Sequence, residues 1–332
     1  MKVNLISESE FTVQGHGVHT AFREMLAGLE RAGFEVQKNG KNPADIVHIH
    51  TVGLYAFWKL LFARGKKVVS AHVIPESFIG SLKGTKYWLP IAKWWLKKFY
   101  GKADLVLACS AGVAKSLTND MGLQNVEILY NAIDMRKYEH SETEKKALRK
   151  ELGFSENQKI ILGNGQIQPR KKFDTFLTMA EKMPNTQFIW VGGIPFKSLG
   201  ADAGKFEKIL QNLPKNLIVT GVIPLEDVRK YFVIADVFVL PSTQENHPMA
   251  VLEAASAELP ILLRDIPEYD DTFRGFVAMA KNDEKFVQEL QKILENDEYF
   301  EELKKWSRAI KERFSTENMA KILEEKYKKI LH

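Results

Sequence analysis

Glu245 and Glu253 stand eight residues apart in the segment PSTQENHPMAVLEAASAELPILL at 241–263. A strand-like run at 235–240 leads into it, a polar turn occupies 241–247, and an apolar helix starts near Pro248, where proline suits the first helical position. A strand that feeds a helix through a polar loop leaves free backbone N–H groups, and the positive end of the helix, at the carboxyl edge of a sheet. Anionic ligands bind at such edges in open α/β sheets. Glu245 falls in the loop and Glu253 about one and a half turns into the helix, so both can face one crevice. Two carboxylates do little for the anion itself. They are suited to accept from hydroxyl groups on a sugar beside it.

A second chemical cluster is ILGNGQIQPRKK at 161–172: a strand, a glycine-containing turn, and then Arg170, Lys171 and Lys172 ahead of a helix carrying Phe173 and Phe176. Cations there can neutralise a diphosphate leaving group, whose charge grows as a glycosidic bond breaks. A solvated basic turn is the plain alternative. Near the N-terminus, Gly15 and Gly17 flank His16 before a helix near Val18, either a phosphate-approach turn or a simple β–α connection. His72 follows the strand at 67–70 and so lies at a cleft edge, with a core or surface histidine as the alternative. His48 and His50 share one strand face, which invites a metal reading. No third ligand stands at a suitable spacing, so no metal is expected.

With ADVFVLPS before it and LEAASAELPI after it, the Glu245/Glu253 segment resembles the Glu-x7-Glu signature of retaining nucleotide-sugar glycosyltransferases of family 4. The resemblance covers nearly the whole chain and is strongest over 160–264. It implies the GT-B fold: α/β, two Rossmann-like domains with parallel sheets facing across a cleft. It implies that Glu245 contacts the donor sugar, Glu253 the ribose hydroxyls and Lys171 the diphosphate. Arg170 would stand in for the family's arginine, whose place is taken here by Gln166. His72 would touch the donor sugar, often through the 6-hydroxyl, and Gly15 and Gly17 would face the diphosphate across the cleft. The family's Gly-Phe-Gly reads Asn246-His247-Pro248 here. Pro248 removes one backbone donor, and Asn246, His247 and Met249 are placed with the nucleotide. No carboxylate is placed as a nucleophile, so the family implies a same-face attack assisted by the departing phosphate. IPESFIGS, the basic aromatic stretch after it, and VLEAASAELPILLRDIPEY are similar to bacterial glycolipid synthases, which add glucose or galactose to diacylglycerol or monoglucosyl-diacylglycerol. The expected donor is UDP-glucose or UDP-galactose, with no metal cofactor, and the expected product an α-glycolipid. Two alternatives are a family 4 transferase with a soluble or polysaccharide acceptor, and a non-catalytic lipid- or sugar-binding protein on the same fold. The Glu245/Glu253 pair and Lys171 argue against the second.

The elements that must position these residues follow from periodicity. Strands are predicted at 3–6, 46–49, 67–70, 105–108 and 126–129, and again at 160–163, 187–191, 217–220, 237–240 and 260–263. Helix-length segments separate them, which indicates βαβ units and parallel sheets. The division expected is 1–140, facing acceptor and membrane; a linker at 141–158 that holds a charged helix; 159–305, binding the nucleotide-sugar; and 306–332, which the resemblance implies crosses back to the first domain. The chain of 332 residues, 45% hydrophobic, can build two cores. The single Cys109 excludes a disulfide framework, MKVNLISESEF reads as a strand start rather than a signal peptide, and no apolar run is long enough to span a bilayer. The net charge of +5 is modest but unevenly placed. Residues 83–102 hold six lysines and six aromatics without one acid. From Pro90 this reads as a helix with Ile91, Trp94, Trp95 and Phe99 on one side and Lys93 and Lys97 on another. Lys86, Trp88, Lys93, Trp94, Trp95, Lys97 and Lys98 are thus expected to bind an anionic membrane surface. An amphipathic helix packed on the sheet is the alternative. No nucleic-acid module accompanies the patch. The location implied is cytoplasmic, peripheral on the inner face of the cell membrane, with a UDP-sugar and a lipid acceptor as partners; the sequence does not set the oligomeric state.

Overall fold

The computed structural model describes residues 1–12, 17–78, 84–194 and 203–332, without the side chains of Lys86 and Ala203. Gly15 and the Lys86 side chain, both given roles above, lie outside the described residues. Two six-stranded sheets, parallel throughout, carry the fold. The first contains β1 (Lys2–Ile6), β2 (Glu35–Lys38), β3 (Ile46–Ile49), β4 (Lys66–Ala71), β5 (Leu105–Ala108) and β6 (Val126–Ile128), in the order β2-β1-β3-β4-β5-β6. The second contains β7 (Ile160–Asn164), β8 (Gln187–Val191), β9 (Leu217–Val219), β10 (Val237–Leu240), β11 (Ile261–Arg264) and β12 (Ala278–Ala280), in the order β12-β11-β10-β7-β8-β9. Central strands such as IVHI, LVLA, VFVL and ILLR are buried at every position, as parallel strands covered on both faces must be.

Helices supply the cover: α1 (Gly17–Arg31), α2 (Leu54–Phe62), α3 (Thr85–Tyr100) and α4 (Ala111–Lys115) on the first sheet, with α5 (Glu142–Glu151) in the connection. The second sheet carries α6 (Phe173–Lys182), α7 (Ala203–Leu210), α8 (Leu225–Ile234), α9 (Met249–Ser256), α10 (Asp283–Glu295) and α11 (Asp297–Arg313), and α12 (Thr316–Leu331) closes the chain. Ser141 caps α5 by accepting from the Glu144 N–H at 3.1 Å, so the charged helix starts where its capping serine puts it. α12 packs on α1. Gly28 permits the approach, because a Cβ there would stand 3.0 Å from the Thr316 Cβ. Met319, Ala320, Leu323 and Tyr327 of α12 share a buried cluster with Val3, Leu5, Phe22 and Leu29.

The ten predicted strands are all present. The two unpredicted ones, β2 and β12, are edges: EVQK is polar and half exposed, and AMA is three residues without a β-branched side chain. Each sheet has one place where neighbouring strands lead their connections in opposite directions, β1/β3 in the first and β7/β10 in the second. Ligands enter α/β sheets at such points.

Candidate active site

The loops after β7 and β10 meet at the second switch point. Gly165 follows β7 at φ +144°, and the Trp190 indole donates to its carbonyl at 2.8 Å. A Cβ on Gly192 would come within 2.2 Å of that same carbonyl, so the β7 and β8 loops cross only because residue 192 is glycine. The turn Pro169–Lys171 then carries Arg170 and Lys171 back to the β10 loop, where the Thr243 N–H donates to the Arg170 carbonyl at 2.8 Å. Lys171 Nζ lies 2.5 Å from Glu245 Oε1, and Arg170 Nη1 lies 3.4 Å from the same oxygen. Burial alone would push the Glu245 carboxyl up, but Lys171 and Arg170 hold it below the usual carboxylate value. Burial and the neighbouring Arg170 push the Lys171 ammonium down, against the pull of Glu245. Two cations and one carboxylate leave this centre net positive, the sign a diphosphate requires.

Glu253 lies in α9 and is buried. It accepts from Asn164 Nδ2 at 3.1 Å and lies beside Tyr138. Burial raises its carboxyl to about 7, with Glu24 adding and Lys137 opposing. Lys137 and Glu24 are themselves paired at 2.8 Å, which ties α1 to the chain entering the second domain. Asn164 and Tyr138 were missed in the sequence. Asn164 stands between the two glycines of GNG, a pattern that reads only as a turn, and nothing in the local pattern marks Tyr138. Pro248 takes the N-cap position with extended backbone, and α9 begins at Met249, one residue later than predicted; capping here falls to a residue with no N–H to leave unsatisfied. The Met249 side chain is buried in the core. His247 is placed otherwise than a ligand-facing side chain would be. Its imidazole stacks on Phe273 at 5.2 Å between centroids and packs against Tyr130 and Phe314, and burial pushes it down to about 3. Only its backbone is engaged outside that cluster, the carbonyl accepting from Asn131 Nδ2 at 2.7 Å.

Between the two sheets lies a cavity of about 700 Å³. Arg170, Glu245 and Asn246 line it from one side, and Ile74, Glu76 and Lys115 from the other. Glu253 is not part of its wall, so the two glutamates do not share this surface. Across the cleft Asn246 Nδ2 donates to the His72 carbonyl at 3.0 Å and to Ser77 Oγ at 3.2 Å. A further bridge runs through Asp271, whose Oδ2 accepts from the Ala111 N–H at 3.0 Å and from the Tyr130 hydroxyl at 2.9 Å. Gly17 opens α1, and a Cβ there would meet nothing within 4 Å among the described residues. Among the described residues no three His, Cys, Asp or Glu side chains are arranged to hold a metal ion. A third histidine, His72, does lie near His48 and His50, the three near-parallel rings forming a column.

The basic aromatic segment forms α3 from Thr85, with Pro90 inside it. Its predicted apolar side is divided. Phe99 is fully buried, and Trp95 packs on Phe57 at 4.9 Å and donates its indole N–H to the Val52 carbonyl at 2.8 Å. Trp94 is 60% exposed and Ile91 68%, with Lys93, Lys97 and Lys98 exposed around them. Trp88 is half buried against Phe78. The adjoining α2 exposes Leu54, Trp58, Leu61 and Phe62. No helix among the described residues is long and apolar enough to cross a membrane.

Two parallel sheets with a cavity between them, and a cation-flanked carboxylate at the switch point of one, define a two-domain α/β protein with a net positive centre suited to an anionic ligand. Comparison with known proteins gives that class its family. The family "Glycosyl transferases group 1" matches residues 144–313, and "Glycosyltransferase Family 4" matches residues 13–137. The chain belongs to the family 4 glycosyltransferases and has their GT-B fold. It is 32% identical to the alpha-galactosylglucosyldiacylglycerol synthase of Streptococcus pneumoniae, over 99% of this chain and 90% of the relative. It is 30% identical to the processive diacylglycerol alpha-glucosyltransferase of Acholeplasma laidlawii, over 90% of each. Among solved structures, the sucrose-phosphate synthase of Thermosynechococcus elongatus superposes with a TM-score of 0.81 at 16% identity, covering 99% of this chain and 98% of that one. Anabaena HepE in complex with UDP-glucose gives 0.77 at 17% identity, covering 99% and 100%.

Proposed function

We propose that this chain transfers glucose or galactose from a UDP-sugar to a membrane lipid, diacylglycerol or glucosyl-diacylglycerol, with retention of the α configuration. The observation that carries the reading is the Lys171–Glu245–Arg170 cluster, whose Arg170 and Glu245 line the interdomain cavity. A sugar diphosphate brings hydroxyls for the carboxylate and negative charge for the cations, so both halves of the cluster gain a partner. In this reading Lys171 and Arg170 stabilise the departing diphosphate, Glu245 positions the donor sugar and Glu253 accepts from the ribose hydroxyls. His72, whose backbone is tied to Asn246, contacts the sugar from the first domain. Gly17 faces the diphosphate across the cleft, and the nucleotide contacts of His247 and Met249 are made by backbone. Donor identity is supported by the relatives' names and by the UDP-glucose complex of a protein with the same fold.

The acceptor reading rests on the surface. The exposed Trp58, Phe62, Ile91 and Trp94 and the lysines of α3 combine an apolar face with positive charge, the combination that holds a helix in an anionic membrane surface. The enzyme is accordingly peripheral, on the inner face of the cell membrane. UDP release from UDP-glucose and from UDP-galactose, measured with and without lipid acceptor, tests this. Release that needs diacylglycerol or glucosyl-diacylglycerol supports it. Release driven equally well by soluble sugars or polysaccharide contradicts the lipid acceptor.

A further inference from the structure

A strand buried on both faces in a parallel sheet ordinarily carries apolar side chains. β3 departs from this at its carboxyl end, where His48, and His50 just beyond it, lie fully within the core on one face. Each nitrogen of His48 has a hydroxyl partner: Nδ1 lies 2.5 Å from the Tyr327 hydroxyl of α12, and Nε2 lies 2.8 Å from Ser70 Oγ of β4. The His48 ring stacks on His50 at 4.8 Å between centroids, and His50 stacks in turn on His72 at 5.3 Å, the ring planes within 25° and 23° of parallel. His50 Nδ1 lies 3.2 Å from His72 Nε2. The other nitrogen of His50 is buried without a partner, with Phe22 edge-on at 5.3 Å. An orphaned polar atom in a core is a cost that valine or isoleucine would avoid, so packing does not explain an imidazole here. The bond to His72 does.

We propose that His50 is a positioning residue for catalysis: through its Nδ1 contact and its stacked ring it fixes the orientation of the His72 imidazole, and His48, held by Tyr327 and Ser70, fixes His50 in turn. Burial keeps His48 and His50 neutral, so the column works by hydrogen bonding and packing and not by charge. The inference rests on the reading of His72 as a donor-sugar contact.

The test is a double-mutant cycle in the full chain, with kcat and the donor KM measured on UDP-sugar and vesicle-borne glucosyl-diacylglycerol. His50→Phe keeps a stacking ring and removes the hydrogen bond. It is expected to lower kcat by about three- to tenfold, the worth of one neutral hydrogen bond, with little change in KM. His50→Asn, whose amide stands where Nδ1 stood, should recover most of the loss. Added to His72→Ala, His50→Phe should cost nothing more. Should His50→Phe not fold, His50→Gln, whose amide reaches the position of the other nitrogen, takes its place in the cycle. Wild-type kcat in His50→Phe, or a full additional loss on the His72→Ala background, overturns the proposal while leaving His72 in the site. Wild-type kcat in His72→Ala removes His72 from the site, and the proposal falls with it.

Discussion

Glu253 accepts from Asn164 in a buried setting, and its carboxyl is raised to about 7 from an ordinary 4.5. A group raised in this way stabilises the fold below its unfolded value and loses that contribution as pH rises through the folded one. Near pH 8 the apo protein therefore holds a buried charge it would be more stable without. Glu253→Gln should raise the melting temperature at pH 8 and leave it nearly unchanged at pH 5. If Glu253 holds the ribose as proposed, the same change should weaken UDP binding by about ten- to a hundredfold, because a charged acceptor becomes a neutral one. In the wild type, UDP affinity should climb by up to about tenfold from pH 6 to pH 8 as the carboxyl ionises, and calorimetry on Glu253→Gln should find that slope gone. Lys171 is the opposite case, a cation whose closest partner is Glu245. Lys171→Ala should lower kcat by about 10²–10³, since the diphosphate charge it balances is largest at the transition state. It should also destabilise the protein, because removing one member of a buried pair costs about 3–5 kcal/mol, less whatever Arg170 recovers. Thermal melts of Lys171→Ala with Glu245→Gln should show stability regained without activity. If stability and activity returned together, the cluster would be structural only.

At the scale of elements, the two sheets were legible because their central strands are mostly apolar, and β2 and β12 were not, because EVQK is polar and half exposed and AMA is short and has no β-branched side chain. The loop bearing Glu245 and the helix bearing Glu253 were legible from the strand–turn–helix pattern. Tyr138 was not, because it reaches Glu253 from a distant part of the chain and its own neighbours carry no pattern. The helix α3 shows a different gap. Its spacing puts Ile91, Trp94, Trp95 and Phe99 on one side, but whether an aromatic faces core or solvent depends on α2 beside it. Val52 takes the Trp95 indole N–H, and nothing covers Trp94 to the same degree. This decides which variants probe a membrane surface. Lys93, Lys97 and Lys98 replaced together by Glu should abolish sedimentation with anionic vesicles at moderate salt, since the attraction is screened beyond about 8–10 Å. Trp58→Ser with Trp94→Ser should weaken sedimentation at every salt concentration without unfolding the protein. Trp95→Ser would instead lose a core contact. Wild type left in the supernatant with anionic vesicles would show that α2 and α3 do not bind this surface.

Taken whole, the molecule joins its two domains by direct bonds across the cleft: Asn246 to His72 and Ser77, and Asp271 to Ala111 and Tyr130. None of these pairings could be read along the chain, since each joins residues more than a hundred positions apart whose proximity comes from the packing of one domain on the other. The cavity between the domains has Arg170 and Glu245 on one wall and the first domain's loops on the other, and the helices α2 and α3 of that domain expose aromatics and lysines. The central claim is that a hexose crosses from the one side to a lipid on the other. Incubation of the protein with labelled UDP-glucose or UDP-galactose and vesicles carrying diacylglycerol or glucosyl-diacylglycerol, followed by product isolation and assignment of the new anomeric centre by NMR, tests it most directly. The account predicts an α-linked hexosyl lipid from one of these donor and acceptor pairs; a β-linked product, or no lipid product from any of the pairs, would contradict it.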